Sequence, residues 1–292
     1  MINVNIKGKK RKDKNKVDLK TPICFLNNIF GFVFLSILFI SAVVLSGCNA
    51  DTKDDLKKNY PEETREIFAM DTYMTLKAYG KESGSALDSA VSEIERLDDL
   101  FSVGNPDSEV SIINEAGSEI LSEDAVSVLK EALELYKVTG GAFDVAVFPL
   151  MEEWGFTTGN YKVPDEDVIN ELLGHIDAGE IELDEESGFA SLSDDMKIDF
   201  GGIVKGYTSA RVMDIFKEYD VNCGIVSLGG NVQTYNKKQD GSDGVVAIEN
   251  PDNTSEFIGK LKVSDKAVIT SGGYERYFED GGVTYHHILY YG

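Results

Sequence analysis

The chain has 292 residues, with 28 Lys and Arg against 51 Asp and Glu, a formal net charge of −23. That length fits one large domain or two ordinary ones, and a 42% hydrophobic fraction supports a core, which argues against wholesale disorder. So acidic a chain has no pool of surplus cations to release counterions from phosphates, which argues against a nucleic-acid binder.

The charge is uneven. Eight of the 28 basic residues and two of the 51 acidic ones fall within residues 1–47, so the remainder carries a net of −29. The basic stretch leads into an apolar run from Ile23 to Leu45, the layout of a secretory signal. The run ends in Leu45-Ser46-Gly47-Cys48, which resembles a bacterial lipobox, with cleavage before Cys48 and a lipid on its sulfur. An uncleaved membrane anchor is the alternative, since the run is nearly long enough to span a bilayer. Both readings place the domain outside the cytoplasm, because the basic flank stays inside. The expected organisation is a signal over 1–47, a charged, solvated tether over 48–66 and a folded domain over 67–292. With Cys24 in the apolar run and Cys48 lipidated, Cys223 has no disulfide partner, and its strand-like surroundings make it a core residue.

In chain order, Ile67 to Tyr79 alternates in part and reads as a strand. Ser85 caps a predicted helix whose apolar positions run from Leu87 to Phe101, followed by a loop at Gly104, Asn105 and Pro106. Ser122 caps a second helix, with Glu123 and Asp124 in its first turn and Gly140-Gly141 at its end. Pro164 opens a short third helix stopped by Gly174. Short strands are predicted at 181–183, 190–192 and 197–200, and a fourth helix from about Tyr207 to Tyr219. Strands then dominate, at 224–228, 245–249, 257–263, 267–269 and 283–290. Helices early and strands late, without strict βαβ alternation, predict an α+β fold with largely antiparallel sheets.

Two segments stand out chemically. In Asp199-Phe200-Gly201-Gly202-Ile203-Val204-Lys205-Gly206-Tyr207 a glycine turn opens a helix, where free backbone N–H groups bind anions and Lys205 adds a positive charge. Its spacing matches neither a Walker A loop nor a dinucleotide fingerprint, so a plain strand-to-helix turn stays open beside a phosphate site. In Gly141-Ala142-Phe143-Asp144-Val145, Asp144 lies in an apolar run where an unpaired charge is costly, so it is either a capping carboxylate or a functional one. Gly229-Gly230-Asn231 reads as hairpin chemistry, and Ser271-Gly272-Gly273 leads to Arg276, a candidate anion contact. His286 and His287 are neighbours in an expected strand, so only one enters a given site, which argues against a metal site built on both. An inward histidine beside an anion turn is a candidate general base.

Taken together, Met70-Asp71-Thr72, Phe101-Ser102 with Pro106-Asp107-Ser108-Glu109, Gly141 to Asp144 with Trp154-Gly155-Phe156, Asp199 to Tyr207, Gly229-Gly230-Asn231 and Ser271-Gly272 with Arg276 and Tyr285-His286-His287-Ile288 resemble the ApbE family of FAD:protein FMN transferases. The resemblance implies an enzyme that binds FAD and magnesium. It would move FMN to a threonine or serine hydroxyl of a partner flavoprotein, such as a subunit of a membrane redox complex, and release AMP. By matching position, Met70, Ala142, Phe143, Asp144, Asp199 and Lys205 would contact FAD, the Gly202 carbonyl would be a magnesium ligand, and His287 would be the base. Gly104 stands where the family usually has an aromatic residue. The side chains that complete the family's magnesium site would follow the His-Ile pair, and here Leu289-Tyr290-Tyr291-Gly292 closes the sequence, so the expectation is a C-terminally shortened copy. The alternatives are an FAD-binding lipoprotein without transfer activity, or an FAD pyrophosphatase yielding FMN and AMP.

Overall fold

The computed structural model describes residues 59–290. The lipobox, the lipidation site at Cys48 and most of the expected tether lie outside the described residues. Among the described residues no helix is long and apolar enough to cross a membrane.

The chain starts with a hairpin, β1 (Glu62–Ala69) and β2 (Thr72–Tyr79), where a single strand from Ile67 was expected. Its two-residue turn places both Met70 (φ 48°) and Asp71 (φ 57°) in the left-handed region, the geometry of a type I′ turn. Neither is the Asn or Gly that signals such a turn, so the reversal is hidden in the sequence. Glu62 to Glu66, assigned to the tether, pair with β2 instead, in the register Glu62 with Tyr79 to Ala69 with Thr72.

Helix α1 (Ser83–Phe101) begins three residues earlier than the Ser85 cap implied, and the Ser83 hydroxyl donates to the Gly80 carbonyl at 3.0 Å. The expected loop after it shortens into α2 (Glu109–Ala116), where Ser108 accepts from the Ser111 N–H at 3.0 Å. Strand β3 (Ser118–Ile120) leads to α3 (Glu123–Thr139), capped by Ser122 as expected. A short 3-10 turn (Val145–Val147), α4 (Phe148–Glu153) and α5 (Glu166–Leu173) follow, then β4 (Glu182–Leu183) and β5 (Phe189–Ser191). Helix α6 (Val204–Glu218) precedes the strand-rich part: β6 (Cys223–Leu228), β7 (Asn231–Tyr235), β8 (Gly244–Asn250), β9 (Asn253–Val263), β10 (Ala267–Ile269), β11 (Tyr277–Asp280) and β12 (Val283–His286).

The main sheet runs β1-β2-β6-β7-β10, and every pairing in it is antiparallel. Alternation on β2 turns Met74, Leu76 and Ala78 to one face, where they meet Val226 and Leu228 of β6. Ala86, Leu87, Ala90 and Ile94 of α1, with Val212 and Phe216 of α6, cover that face. A second core gathers Leu97 and Phe101 from the end of α1 with Val110, Ile113, Leu129, Val145, Leu150, Trp154, Ile198 and Phe200. Each fully buried side chain of this size contributes about 1.5–3 kcal/mol relative to exposure. Helix α1 therefore belongs to both cores, and Met70 packs against both. The turn that carries Met70 thus sits at the seam.

One expected strand is absent. Residues 197–200 have no ladder. Their main chain is held by a side chain instead: Asn114 of α2 donates Nδ2 to the Ile198 carbonyl at 2.8 Å and accepts the Ile198 N–H at 2.7 Å. The Asp199 N–H donates to the Val145 carbonyl at 2.9 Å. The final strand also ends at His286, earlier than expected, because its partner β11 ends the pairing there, Tyr277 opposite His286.

Candidate active site

Three segments converge where the two cores meet. The first is the start of α6. Asp199 Oδ1 accepts the Gly201 N–H at 2.8 Å, a local turn that leaves Gly201 and Gly202 exposed just ahead of the helix. A Cβ at Gly202 would lie 3.0 Å from Cε2 of Phe143, so glycine is what lets the Phe143 ring lie against this turn. Lys205 follows in the first helical turn, and one turn later the Thr208 hydroxyl points at Met70 Sδ, 3.8 Å away. Burial pushes the Asp199 carboxyl above its ordinary value, opposed by the Gly201 N–H and by the charges of Arg276 and Lys205. Burial also pulls the Lys205 ammonium down, and the Arg276 charge adds to this, while Asp71 and Asp199 counter it.

The second segment is the end of α3. Gly140 closes the helix in the left-handed conformation, and Thr139 Oγ1 accepts the Phe143 N–H at 3.1 Å. Ala142 is exposed and Phe143 half-buried. Asp144 turns the other way. It is buried, its Oδ1 accepts the Ala146 N–H at 2.8 Å, and its Oδ2 accepts the Ala178 N–H at 3.3 Å. It caps the 3-10 turn and so fixes the backbone that presents Ala142 and Phe143.

The third segment is the β11–β12 hairpin with its flanks. Arg276 reaches across to the β1–β2 turn, where its guanidinium meets Asp71 Oδ2 at 3.1 Å, 205 residues away in sequence. Behind it, Phe278 stacks on Tyr161 and on Tyr285, each with ring centroids 5.2 Å apart, and Tyr285 packs on Trp154 at 5.3 Å. This aromatic stack seats the hairpin against the α4 region. His287 follows directly, its ring 6.5 Å from that of Phe156.

His287 bonds only locally: its N–H and its ring Nδ1 both meet the Arg276 carbonyl. A carbonyl only accepts, so Nδ1 carries the proton and Nε2 keeps its lone pair. Burial lowers the imidazole below its ordinary value. The carbonyl opposes that shift, and the charges of Arg276, His286 and Lys205 reinforce it. The ring is therefore neutral at pH 7 and able to take a proton. Its neighbour His286 faces elsewhere: its ring lies where a Cβ on Gly273 would be, and its Nδ1 is buried without a partner.

Of the residues singled out from sequence, Met70, Phe143, Asp199, Gly202, Lys205 and His287 come together, with Ala142 at the edge and Asp144 beneath. Asn114 was missed, because no element was predicted over the helix that carries it. Phe278 and Tyr161 were missed because isolated aromatics carry no motif. The magnesium expectation fares differently. Among the described residues no group of three or more His, Cys, Asp or Glu side chains is placed to hold a metal ion, and since magnesium is usually held by one or two carboxylates together with substrate phosphates, the Gly202 carbonyl stays a ligand implied by the resemblance alone.

A glycine turn at a helix start, two cations and a neutral imidazole, set in an antiparallel α+β domain, define a site suited to moving a phosphorylated group. Residues 70–290 match the ApbE family, and the chain belongs to it. A protein of Klebsiella pneumoniae (strain 342) named FAD:protein FMN transferase is 32% identical over 226 residues, covering 75% of this chain and 69% of that one. A protein of the same name from Treponema pallidum (strain Nichols) is 26% identical over 250 residues, covering 78% and 69%. The crystal structure of an ApbE protein from Thermotoga maritima superposes with a TM-score of 0.75 at 31% identity, covering 78% of this chain and 76% of that one.

Proposed function

We propose that this protein is an FAD:protein FMN transferase, the activity named for its relatives. The observation that carries the reading is the neutral His287, with Nε2 free, beside the cations Lys205 and Arg276. FAD is the donor substrate. Its pyrophosphate is a dianion, and in a domain this acidic it needs local compensation. Lys205 and Arg276 supply that compensation. Met70 and Phe143 offer apolar surface to the rings of the substrate.

The acceptor is a threonine or serine hydroxyl on a partner flavoprotein. Its oxygen attacks the flavin-side phosphorus as His287 Nε2 takes its proton. The new phosphoester bond forms, the bond to the AMP phosphate breaks, and AMP leaves. Group transfer of this kind depends on positioning and charge compensation more than on covalent chemistry by the protein. The reading extends to a lipid anchor at Cys48 on the outer face of the cell membrane, with the acceptor a subunit of a membrane redox complex. The Leu45-Ser46-Gly47-Cys48 sequence supports that extension.

The test incubates the protein with FAD, magnesium and a threonine-bearing acceptor and measures covalent flavin and AMP. Covalent FMN on the acceptor with one AMP per flavin is the expected result. AMP and free FMN without it would make the protein a pyrophosphatase. Bound FAD with neither product would make it a binding protein.

A further inference from the structure

We propose that Asn114 is the residue that positions Asp199, and with it the glycine turn at the head of α6, for FAD; this rests on the function proposed above and on the FAD contact that the family resemblance implies for Asp199. Asn114 stands on α2, outside the three segments that meet at the site. Its amide makes a bidentate contact with the main chain of Ile198, donating to the carbonyl at 2.8 Å and accepting from the N–H at 2.7 Å. That is what a neighbouring strand would otherwise do, and 197–200 has no such strand. The next residue is Asp199, whose N–H is spent on the Val145 carbonyl and whose Oδ1 is spent on the Gly201 N–H. The peptide joining Ile198 to Asp199 is thereby held at both of its edges, through the Ile198 carbonyl and through the Asp199 N–H. Asn114 fixes it from α2, and the Asp144-capped turn fixes it from the other side.

The arrangement is demanding. Ile198 is fully buried, so removing the amide leaves a donor and an acceptor unpaired in the interior. No other residue type of that size offers one donor and one acceptor in the same fork. Aspartate keeps the acceptor but turns a second oxygen on the Ile198 carbonyl, and leucine of similar size offers neither. Asn114 touches neither substrate nor reacting atoms. It acts through the backbone that orients the Asp199 carboxylate and the glycine turn beyond it.

The experiment is a double-mutant cycle on FAD binding by the purified protein, with Asp199→Asn as the second substitution. Asn114→Ala should weaken FAD binding about tenfold, the size expected for losing two neutral hydrogen bonds. Asn114→Asp should fall between it and the unmodified protein. In the Asp199→Asn background either change should add less than twofold, because the carboxylate they orient is gone. Full additivity would make the role merely structural and overturn the proposal, as would unchanged binding in Asn114→Ala or failure of both single variants to fold. If the unmodified protein binds no FAD, the proposed function fails instead, so the two failures are told apart.

Discussion

The Arg276 carbonyl accepts two hydrogen bonds from His287, one from its backbone N–H at 3.1 Å and one from its ring Nδ1 at 3.2 Å. One oxygen thus sets the position of the residue and the tautomer of its ring. The proton-accepting form is the neutral one, and burial holds the imidazole below its ordinary value. Transfer should therefore rise as pH increases through a midpoint below about 6.5 and level off above it. His287→Ala should cut transfer by about 10²–10⁴-fold and leave FAD affinity within about twofold. A pH–rate profile with its acid limb above the ordinary histidine value would remove the base assignment.

The Asp71–Arg276 pair spans the site, yet Asp71 is 77% exposed and Arg276 40%. An exposed pair of this kind contributes about 0–1 kcal/mol. Asp71→Asn keeps a residue that tolerates the left-handed turn and removes only the charge. Thermal unfolding should then move little. FAD should bind several-fold more tightly, because a carboxylate no longer competes with the phosphates for Arg276. Weaker binding in Asp71→Asn would show that the carboxylate holds Arg276 in its working place.

The regular elements were legible where local rules act alone. Ser122 capping α3, Gly174 ending α5 and the brief 267–269 strand fall where spacing placed them. Misreadings cluster where tertiary contacts override local pattern. The Met70-Asp71 turn uses residues that do not announce a left-handed conformation. The segment 197–200 has a strand's composition but pairs with an asparagine side chain. That Asp144 caps could not be read from sequence, because a turn carboxylate and a ligand-binding one look alike there, and the cap shows only in the Ala146 and Ala178 N–H donors. The glycine turn, Lys205 and His287 were readable as separate candidates. That they meet follows from contacts such as Arg276 to Asp71, 205 residues apart, and only the family resemblance anticipated it.

Trp154 is 3% exposed and forms the floor under Tyr285 and Phe278. Trp154→Ala should cost about 3–5 kcal/mol, the usual range for deleting a buried large aromatic. The loss should be local as well as global. Amides of β11 and β12 should exchange faster than those of β2 and β6, whose core does not include Trp154. Transfer should fall more than FAD affinity, because the hairpin and its flanks carry both the base His287 and one phosphate contact, Arg276, while Lys205 stands on α6 and keeps part of the binding. Uniform acceleration of exchange across both cores would contradict this division.

Lys205 gives the opposite limb of the pH dependence. Burial lowers its ammonium below the ordinary lysine value, with the Arg276 charge adding to the effect. The charged form is the one that attracts a pyrophosphate, so FAD affinity should fall as pH rises through a midpoint below about 10.5. Lys205→Gln should weaken binding about 10–100-fold at pH 7, the loss expected for a hydrogen bond to a charged group, and should flatten that alkaline limb. Lys205→Arg keeps its charge at any accessible pH, so it should shift the limb upward while giving up the compact geometry of the ammonium. Titration calorimetry with FAD between pH 6 and about 10.5 separates these outcomes. An alkaline limb that persists unchanged in Lys205→Gln would assign it to another group and leave Arg276 as the main phosphate contact.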